Sequence, residues 1–595
     1  MVIKRAIEKL VRRRRANIRI RKSVSLLNEK LKSVRIIIFF FVFLIVAFLS
    51  LAGRCLYLQF FKSDRYIALC AKQQQSQVTQ KPQRGAILDC RGRVLAASNK
   101  IQTIFAEPQV IKDPKTTSTS LAPILDMGAH EICKLITDGK NPGFAKIRVD
   151  ADANQCTAAA KIYGIGIQTD WRRHYPMGSL ASHVVGFTSA DNRGLGGIEL
   201  QYDKELSGSS GQDIFFADAS RRPIRLKQQN GVVSDGVGVI LTLDATIQQF
   251  ARAELMKQYH AYQAESAVSI VAEVETGAIL AIVSLPDFDP NNSRLTNPNR
   301  LRNRALTDQF EPGSIIKPVV AAIAVDAGAV GRHEKIYCEE GSYHGKGFGT
   351  IGEYGGHRYG TLSVSEILTF SSNIGMAKIG QKLGKNKLYN GMKRFGFGKK
   401  TGLQLPGEAE GMLPPIQKWT GYSVTRIPFG QEISVTAIQL VQAFCILANG
   451  GRSVRPFLVR AMVDNDGKII ELKQPPPSAG FVIEPNVAKW IVTDALVNVV
   501  NEGTGKEAKL EKWQVFGKTG TANVANSDRR GYSETDFIAS FIGGAPVEDP
   551  KVIVLVSIRK PNVALGKGYT GGAVAAPVVA AILEKTLTYL EKRQR

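Results

Sequence analysis

The sequence is poor in the patterns that build metal centres and disulfide frameworks. Its 595 residues contain seven cysteines with no C-x-x-C pair, and seven histidines with no H-x-H or H-E-x-x-H pattern. Structural zinc sites and small disulfide-rich domains depend on such closely spaced residues. We therefore predict no metal site, and isolated disulfide pairs remain an open alternative.

Acidic residues are scarce at the N-terminus. Residues 1–35 contain 13 Lys and Arg but only two acids, so a short segment carries much of the net charge of +26. A basic run such as Arg12–Arg15 is found in nucleic-acid-binding arms, in targeting signals and on the cytoplasmic flanks of membrane helices. The residues that follow favour the third interpretation.

The sequence has only one long apolar run. Ile36–Gly53 is 18 residues without a charge, which nearly covers a hydrocarbon core of about 30 Å when helical. We predict a basic cytoplasmic segment over residues 1–35, a single transmembrane helix over 36–59 and an extracytoplasmic remainder, because basic residues stay on the cytoplasmic side. No A-x-A site closes the run, so the anchor is expected to stay uncleaved. A single transmembrane helix excludes a transporter.

The part of the chain after the anchor divides near residue 235. Residues 60–235 show a hairpin pattern over 84–96 but no nucleophile with a base, so composition alone indicates a spacer or docking domain. Residues 236–595 begin with strands and the helix pattern 245–259, and end with apolar strands and the helix pattern 574–589. Strands at both ends with helices between them predict one sheet flanked by helices.

The second domain is organised around Phe310–Pro318. A Pro-Gly turn delivers Ser314 onto the start of an apolar, Ala-rich helix. Ser314 and Lys317 are three residues apart and share one helix face, which pairs a hydroxyl nucleophile with an amine. The amine can act as a base if burial or nearby cations lower its pKa. S-x-x-K also occurs at Ser557–Lys560, but on a strand pattern, where residues three apart point to opposite faces.

Two further motifs accompany this one. Ser371-Ser372-Asn373 is the only S-x-N in the sequence and follows an expected helix over 362–370. K-T-G occurs at 400–402 within a loop pattern and at 518–520 after a strand pattern. We select 518–520, because a strand edge can pair with an extended peptide substrate and its lysine can hold a carboxylate.

From residue 36 to 580 the sequence resembles class B penicillin-binding proteins, the monofunctional peptidoglycan D,D-transpeptidases, because the three motifs occur in family order. Five stretches are most similar to the family's cell-division members: 302–318, 175–178, 197–199, 405–408 and 571–577. The resemblance implies an α+β penicillin-binding transpeptidase fold over 236–595, a five-stranded antiparallel sheet flanked by helices. It also implies that 60–235 is an elongated, mostly-β pedestal of the dimerisation type.

The resemblance assigns the functional residues. The implied catalytic residues are Ser314, Lys317, Ser371, Asn373, Lys518, Thr519 and Gly520. The implied substrate-binding residues are Asn373, Lys518, Thr519 and Thr521, and the backbone N–H groups of Ser314 and Thr521 would form the oxyanion hole. No metal or organic cofactor is required. Ile315-Ile316 departs from the small or polar residues common after the family's serine.

The implied function is the cross-linking of stem pentapeptides ending in D-Ala-D-Ala during septal wall synthesis at the bacterial cytoplasmic (inner) membrane, with β-lactam antibiotics as acylating inhibitors. The expected partners are the SEDS-type glycosyltransferase FtsW and other division proteins, and no nucleic acid. Three alternatives remain: an elongation-type transpeptidase, a D,D-carboxypeptidase with the same chemistry, and a catalytically silent division scaffold. The basic N-terminal run is interpreted as a topology determinant, with a recruitment motif as its alternative.

Overall fold

The computed structural model describes residues 2–138, 144–217, 223–230, 233–526 and 531–594. The chain forms two compact units, residues 1–80 with 212–231 and residues 81–211 with 232–595. The second, larger unit contains all the residues of the three sequence motifs.

The first unit begins with one continuous helix, Val2–Phe61, that includes the basic segment and the apolar run. Its part Leu27–Phe61 has the length and hydropathy of a membrane-spanning helix. The helix Ser63–Gln74 follows, and a three-stranded sheet with the order Gln75–Gln80, Gly211–Ala217, Pro223–Asn230 completes the unit. The predicted anchor is therefore the C-terminal part of a longer helix.

The second unit is built on a five-stranded antiparallel sheet. Its strand order is Ile279–Leu285, Ser266–Glu273, Val552–Arg559, Tyr532–Ala545, Phe516–Ala525. Along the central strand, Ile553 and Leu555 join one hydrophobic core and Val554 and Val556 join another on the opposite face. Because both faces are covered, this strand is a continuous apolar run rather than an alternating one. The sheet confirms the predicted architecture.

Helices cover both faces of this sheet. Ala245–Ala261 and Ala576–Gln594 pack together on one face, and Ala437–Ala448 packs on the other. The apolar stretch Gly571–Arg593 is long enough to cross a membrane, but half of its apolar window is buried in this core. Other helices with residues in the core that contains Ala437–Ala448 include Arg304–Thr307, Lys317–Asp326, Val364–Thr369, Asn373–Leu383, Lys385–Arg394, Gly421–Arg426, Pro485–Trp490 and Leu496–Asn501.

A second sheet crosses the predicted domain boundary. Its strand order is Ile469–Leu472, Val459–Val463, Gly238–Leu241, Ile87–Leu88, Val94–Ala106, Ala145–Val149, and Ile165–His174 also pairs with Val94–Ala106. The strand Gly238–Leu241 is parallel to Ile87–Leu88 and antiparallel to Val459–Val463. The strand at which the sequence predicts the second domain to begin is thus hydrogen-bonded to residues on both sides of that boundary.

Residues 81–211 have a small core of their own. It contains Ile104 from the long strand and Leu121, Leu125 and Ile132 from two packed helices. The longer helices of this region are Pro114–Leu125, Ala129–Thr137 and Ala153–Ala159, and the shorter ones are Ser182–Val185, Gly197–Gln201 and Asp203–Ser207.

A buried ion cluster holds this region together. Glu199 is fully buried, and its two carboxylate oxygens accept hydrogen bonds from Arg84 Nε and Arg173 Nε at 2.6 Å each. Arg84 also donates to Asp203 at 2.7 Å. Buried charges persist only where they are paired and hydrogen-bonded, so this cluster fixes the relative positions of the segments that supply it.

Most local predictions are confirmed, with shifted ends. The predicted helix 245–259 extends over Ala245–Ala261, and the predicted hairpin 268–283 forms strands Ser266–Glu273 and Ile279–Leu285. The helix expected over 362–370 is shorter, Val364–Thr369, because Ser363 caps it by accepting a hydrogen bond from Glu366 N and donating its own N–H to the Glu366 carboxylate.

Candidate active site

The turn before Ser314 is shaped by glycine. Gly313 has φ +53° and donates its N–H to Gly430 O at 3.2 Å. A 3₁₀ turn over Gly313–Ile316 follows, and it passes directly into the helix Lys317–Asp326. Ile315 and Ile316 are fully buried, while Ser314 is partly exposed and lines a cleft. The two isoleucines that depart from the family pattern therefore anchor the turn in the core.

Lys317 is completely buried at the start of this helix. Its Nζ donates to Ser371 O at 2.6 Å, to Asn373 Oδ1 at 2.8 Å and to Ser371 Oγ at 3.2 Å. Within the described part of the chain, no hydrogen bond joins Lys317 Nζ to Ser314 Oγ. Burial lowers the pKa of Lys317 to about 7, against the opposing effect of the Glu353 charge. A substantial fraction of this amine is therefore neutral at physiological pH.

The S-x-N motif lies between two helices. Ser371 has φ +64°, an uncommon conformation for a residue other than glycine, and it separates Val364–Thr369 from Asn373–Leu383. Ser372 caps the second helix by accepting a hydrogen bond from Gly375 N at 2.9 Å. Asn373 Nδ2 donates to Gly352 O at 3.1 Å. These bonds hold the Ser371 hydroxyl and the Asn373 carboxamide against Lys317.

Lys518 approaches the same hydroxyl from the edge strand Phe516–Ala525. It is fully buried, and its Nζ donates to Ser371 Oγ at 3.1 Å and to Thr519 Oγ1 at 3.3 Å. Burial lowers the pKa of Lys518 well below its usual value, and the charge of Lys317 lowers this pKa further. Since both amines contact Ser371 Oγ, they repel each other when both are protonated, and this repulsion disfavours the doubly protonated pair.

The edge strand packs directly on the serine turn. A Cβ on Gly520 would lie 2.7 Å from Ile315 Cγ1, so only glycine allows this approach without displacement. Thr519 Oγ1 is 2.6 Å from Thr504 Oγ1, and Thr521 Oγ1 accepts a hydrogen bond from Gly571 N at 3.0 Å. Because the strand is at the edge of the sheet, part of its backbone is available to an extended ligand.

These residues meet in one cleft of about 410 Å³, the catalytic cleft. It is lined by Ser314, Ser371, Asn373, Thr519 and Thr521 together with Glu311 and Glu353. Its aromatic lining residues are Tyr354, His357, Tyr359, Phe370, Phe429 and Tyr532. Lys317 and Lys518 are 54 and 147 positions from Ser371 in the sequence, and both donate hydrogen bonds to it. The fold thus brings the three sequence motifs to hydrogen-bond distance.

The second S-x-x-K, Ser557–Lys560, and the other K-T-G, residues 400–402, lie outside the catalytic cleft. Ser557 is on the strand Val552–Arg559 and accepts a hydrogen bond from Ser540, whereas Lys560 forms ion pairs with Glu265 and Asp536. Thr401 of the first K-T-G lies in a loop and donates its N–H and hydroxyl to Glu408. Neither motif contributes a residue to the lining of the catalytic cleft.

Sequence reasoning missed Glu353. This residue has 9% of its surface exposed and lines the catalytic cleft, and its carboxylate accepts hydrogen bonds from Ser372 Oγ and Asn373 N. It stands 18 residues before Ser371, outside every recognised motif. Only the fold reveals this proximity.

Comparison with known proteins agrees with this geometry. Residues 267–584 match the family described as penicillin binding protein transpeptidase domain, and residues 79–239 match the penicillin-binding protein dimerisation domain. The chain belongs to the penicillin-binding protein family. It is 32% identical over 573 residues to stage V sporulation protein D of Bacillus subtilis (strain 168), covering 94% of this chain and 86% of that protein.

Other relatives extend over a similar length. The chain is 29% identical over 549 residues to peptidoglycan D,D-transpeptidase FtsI of Escherichia coli (strain K12), covering 91% of this chain and 89% of that protein. The crystal structure of penicillin binding protein 3 from Mycobacterium tuberculosis, complexed with aztreonam, matches with a TM-score of 0.66 at 25% identity, covering 87% of this chain and 97% of the other. The predicted family and fold are confirmed, and the chain is a penicillin-binding transpeptidase of the serine type.

Proposed function

We propose that this penicillin-binding protein cross-links the stem peptides of peptidoglycan, with Ser314 as the nucleophile that forms the acyl-enzyme. The observation that carries the proposal is the convergence of Ser314, Ser371 and Thr519 on one cleft, with Lys317 and Lys518 buried behind Ser371. A hydroxyl beside a desolvated amine is an arrangement that activates serine without histidine. The proposed substrate is a stem pentapeptide ending in D-Ala-D-Ala, and β-lactams would acylate the same serine.

Lys317 is the proposed base. In its neutral form, the amine can keep two N–H bonds to Ser371 O and Asn373 Oδ1 and direct its lone pair to a hydroxyl proton. Ser314 Oγ then attacks the carbonyl of the penultimate D-Ala, and its proton passes to Lys317. A hydrogen bond between Ser314 and Lys317 would form as the substrate binds, since catalytic hydrogen bonds often tighten only in the complex.

Ser371 is the proposed proton relay to the leaving group. Its hydroxyl contacts both amines, so it can pass the proton from Lys317 to the amine of the departing D-Ala. The C–N bond to the terminal D-Ala breaks, and an ester to Ser314 Oγ remains. Asn373 would hold the substrate amide on the same side of the cleft.

Lys518 and Thr519 are the proposed carboxylate site. A bound carboxylate raises the proton affinity of Lys518, because it places a negative charge beside a buried amine. A proton shared by the two lysines would then reside on Lys518, and Lys317 would be neutral when the substrate is in place. Substrate binding therefore prepares the base.

The backbone N–H groups of Ser314 and Thr521 form the proposed oxyanion hole. The close approach at Gly520, where an added Cβ would lie 2.7 Å from Ile315 Cγ1, brings the strand that carries Thr521 against the serine turn, which supports this proposal. The loss of one such donor typically costs about 3 kcal/mol of transition-state stabilisation. An amine from a neighbouring stem peptide would next attack the ester carbonyl, form the cross-link and release Ser314.

A donor peptide ending in D-Ala-D-Ala tests this reaction. Full-length protein in detergent should release D-Ala, and an added acceptor amine should appear in the peptide product. Ser314→Ala should abolish both signals. Release of D-Ala without incorporation of any acceptor would identify a carboxypeptidase, and no release from protein that binds penicillin would contradict the proposed substrate.

The proposed setting is septal wall synthesis at the bacterial cytoplasmic membrane, with the N-terminus in the cytoplasm and the second unit outside. The similarity to FtsI supports it, and FtsW with other division proteins are the proposed partners. The 32% identity to stage V sporulation protein D favours a second candidate role in sporulation. Depletion should give filamentous cells for a septal role, rounded cells for an elongation role, and a defect confined to spores for the second role.

A further inference from the structure

Glu353 connects the S-x-N motif to the lysine pair. It follows the strand Gly349–Gly352, and 9% of its surface is exposed. Oε1 accepts hydrogen bonds from Ser372 Oγ at 2.5 Å and Ile374 N at 3.3 Å, and Oε2 accepts one from Asn373 N at 2.6 Å. All three donors belong to the first turn of Asn373–Leu383 or to its cap, where a carboxylate also complements the helix dipole.

These bonds constrain the neighbouring Ser371. With φ +64°, Ser371 is in a conformation that persists only when the surrounding structure imposes it. On one side the Ser371 carbonyl is held by Lys317, and on the other Ser372 and Asn373 are held by Glu353. The position of the Ser371 hydroxyl between the two amines therefore depends on Glu353.

The charge of Glu353 also acts on the site. The carboxylate raises the pKa of Lys317, opposing the larger effect of burial. Its charge also raises the pKa of Cys338 and of Tyr359, while burial is the main cause of both shifts. The other charged or titratable groups around it are Tyr354 and His357 in the same segment, Lys518 on the edge strand, the Lys378–Glu339 pair beside Cys338, and Glu311 with Tyr532 across the cleft.

We propose that Glu353 is a positioning residue for acylation, which fixes the Ser371–Asn373 segment and sets the protonation of the buried amines through its negative charge. This inference rests on the proposed roles of Ser314 and Lys317. It assigns Glu353 two separable contributions. The hydrogen bonds govern how fast the correctly protonated site reacts, and the charge governs the pH at which that state forms.

The test measures the second-order rate constant of acylation by a fluorescent penicillin between pH 5 and 9, using full-length protein in detergent. The rate constant should rise with pH to a plateau. Glu353→Gln should lower the rate constant on this plateau about tenfold, which is the effect of weakening a hydrogen bond to a charged group. The substitution should also move the rising limb of the pH profile to lower pH by about one unit, because the negative charge of Glu353 that favours the protonated form of Lys317 is lost. Glu353→Asp keeps the charge, so its limb should stay in place while its plateau falls.

Glu366→Gln is the matched control. Glu366 caps the helix that leads into Ser371 but is exposed, so its loss should change neither the plateau nor the limb. An unchanged plateau in Glu353→Gln would overturn the positioning role, and an unshifted limb would overturn the electrostatic role. If Glu353→Gln does not fold, the plateau of Glu353→Asp tests the positioning. Failure of wild-type protein to be acylated would instead contradict the proposed function itself.

Discussion

Glu199 is a residue outside the cleft at which the structure predicts a large loss of stability on substitution. Its buried carboxylate accepts a hydrogen bond from Arg84 Nε, from Arg173 Nε, and from Tyr175 Oη at 3.3 Å. Glu199→Gln keeps the size of the side chain and removes its charge. Arg84 retains Asp203, whereas among the described ion pairs Arg173 has only Glu199. The substitution therefore leaves one buried guanidinium without a counter-charge.

The expected cost follows from that unpaired charge. Removing one partner of a buried ion pair typically destabilises a protein by about 3–5 kcal/mol, a large fraction of a domain's stability. Each 1.4 kcal/mol is about a tenfold change in an equilibrium constant. The strand Ile165–His174, which carries Arg173, should thus open at least about 100-fold more often.

Amide hydrogen exchange of this strand in the full-length protein measures the change. The matched control is Asp170→Asn on the same strand, because Asp170 pairs with Lys81 at the surface and such pairs are worth about 0–1 kcal/mol. We expect a rise in exchange of about 100-fold for Glu199→Gln and of less than about fivefold for the control. Equal exchange in the two variants would refute the reasoning that the buried cluster holds this region together.

Three further predictions concern the cleft. Gly520→Ala should slow penicillin acylation, because the new Cβ would contact Ile315 at 2.7 Å and displace the serine turn, and stopped-flow acylation checks this. Acylation should accelerate as pH rises through about 7, since the neutral form of Lys317 is the base, and a rate independent of pH between 6 and 8 would contradict that role. Ser557→Ala and Lys400→Ala should each acylate at the wild-type rate, and a large loss in either would mean that the wrong motif was selected.

Much of the active site could be predicted from the sequence, because its motifs are local. The spacing of Ser314 and Lys317, the turn before them and the strand pattern before Lys518 are each visible within about ten residues. The S-x-N motif is equally local. What brings these segments together is the order of strands in the sheet, which alternating patterns do not encode.

Features that depend on distant contacts were not predictable. Glu353 belongs to no motif, and its bonds to Ser372 and Asn373 exist only because a short hairpin folds over that segment. Arg84 and Glu199 look like surface residues in the sequence, because charged side chains are rarely buried unless they are paired. The two residues pair with each other across 115 positions of sequence, which no local pattern indicates.

The sheet that includes strands from both sides of the predicted domain boundary shows the same limit. The strand Gly238–Leu241 has a clear apolar pattern, but its parallel partner is 152 positions away in the register Ile87↔Val239. Pairing of this kind has no local signal, so the sequence does not predict that one sheet includes strands from both sides of the boundary near residue 235.

The most direct test of the account is the intact mass of the full-length protein after incubation with benzylpenicillin, with Ser314→Ala alongside. We expect one penicilloyl adduct on the wild type and none on the folded variant. No adduct on folded wild-type protein, or an adduct that persists in Ser314→Ala, would contradict the assignment of Ser314 as the nucleophile.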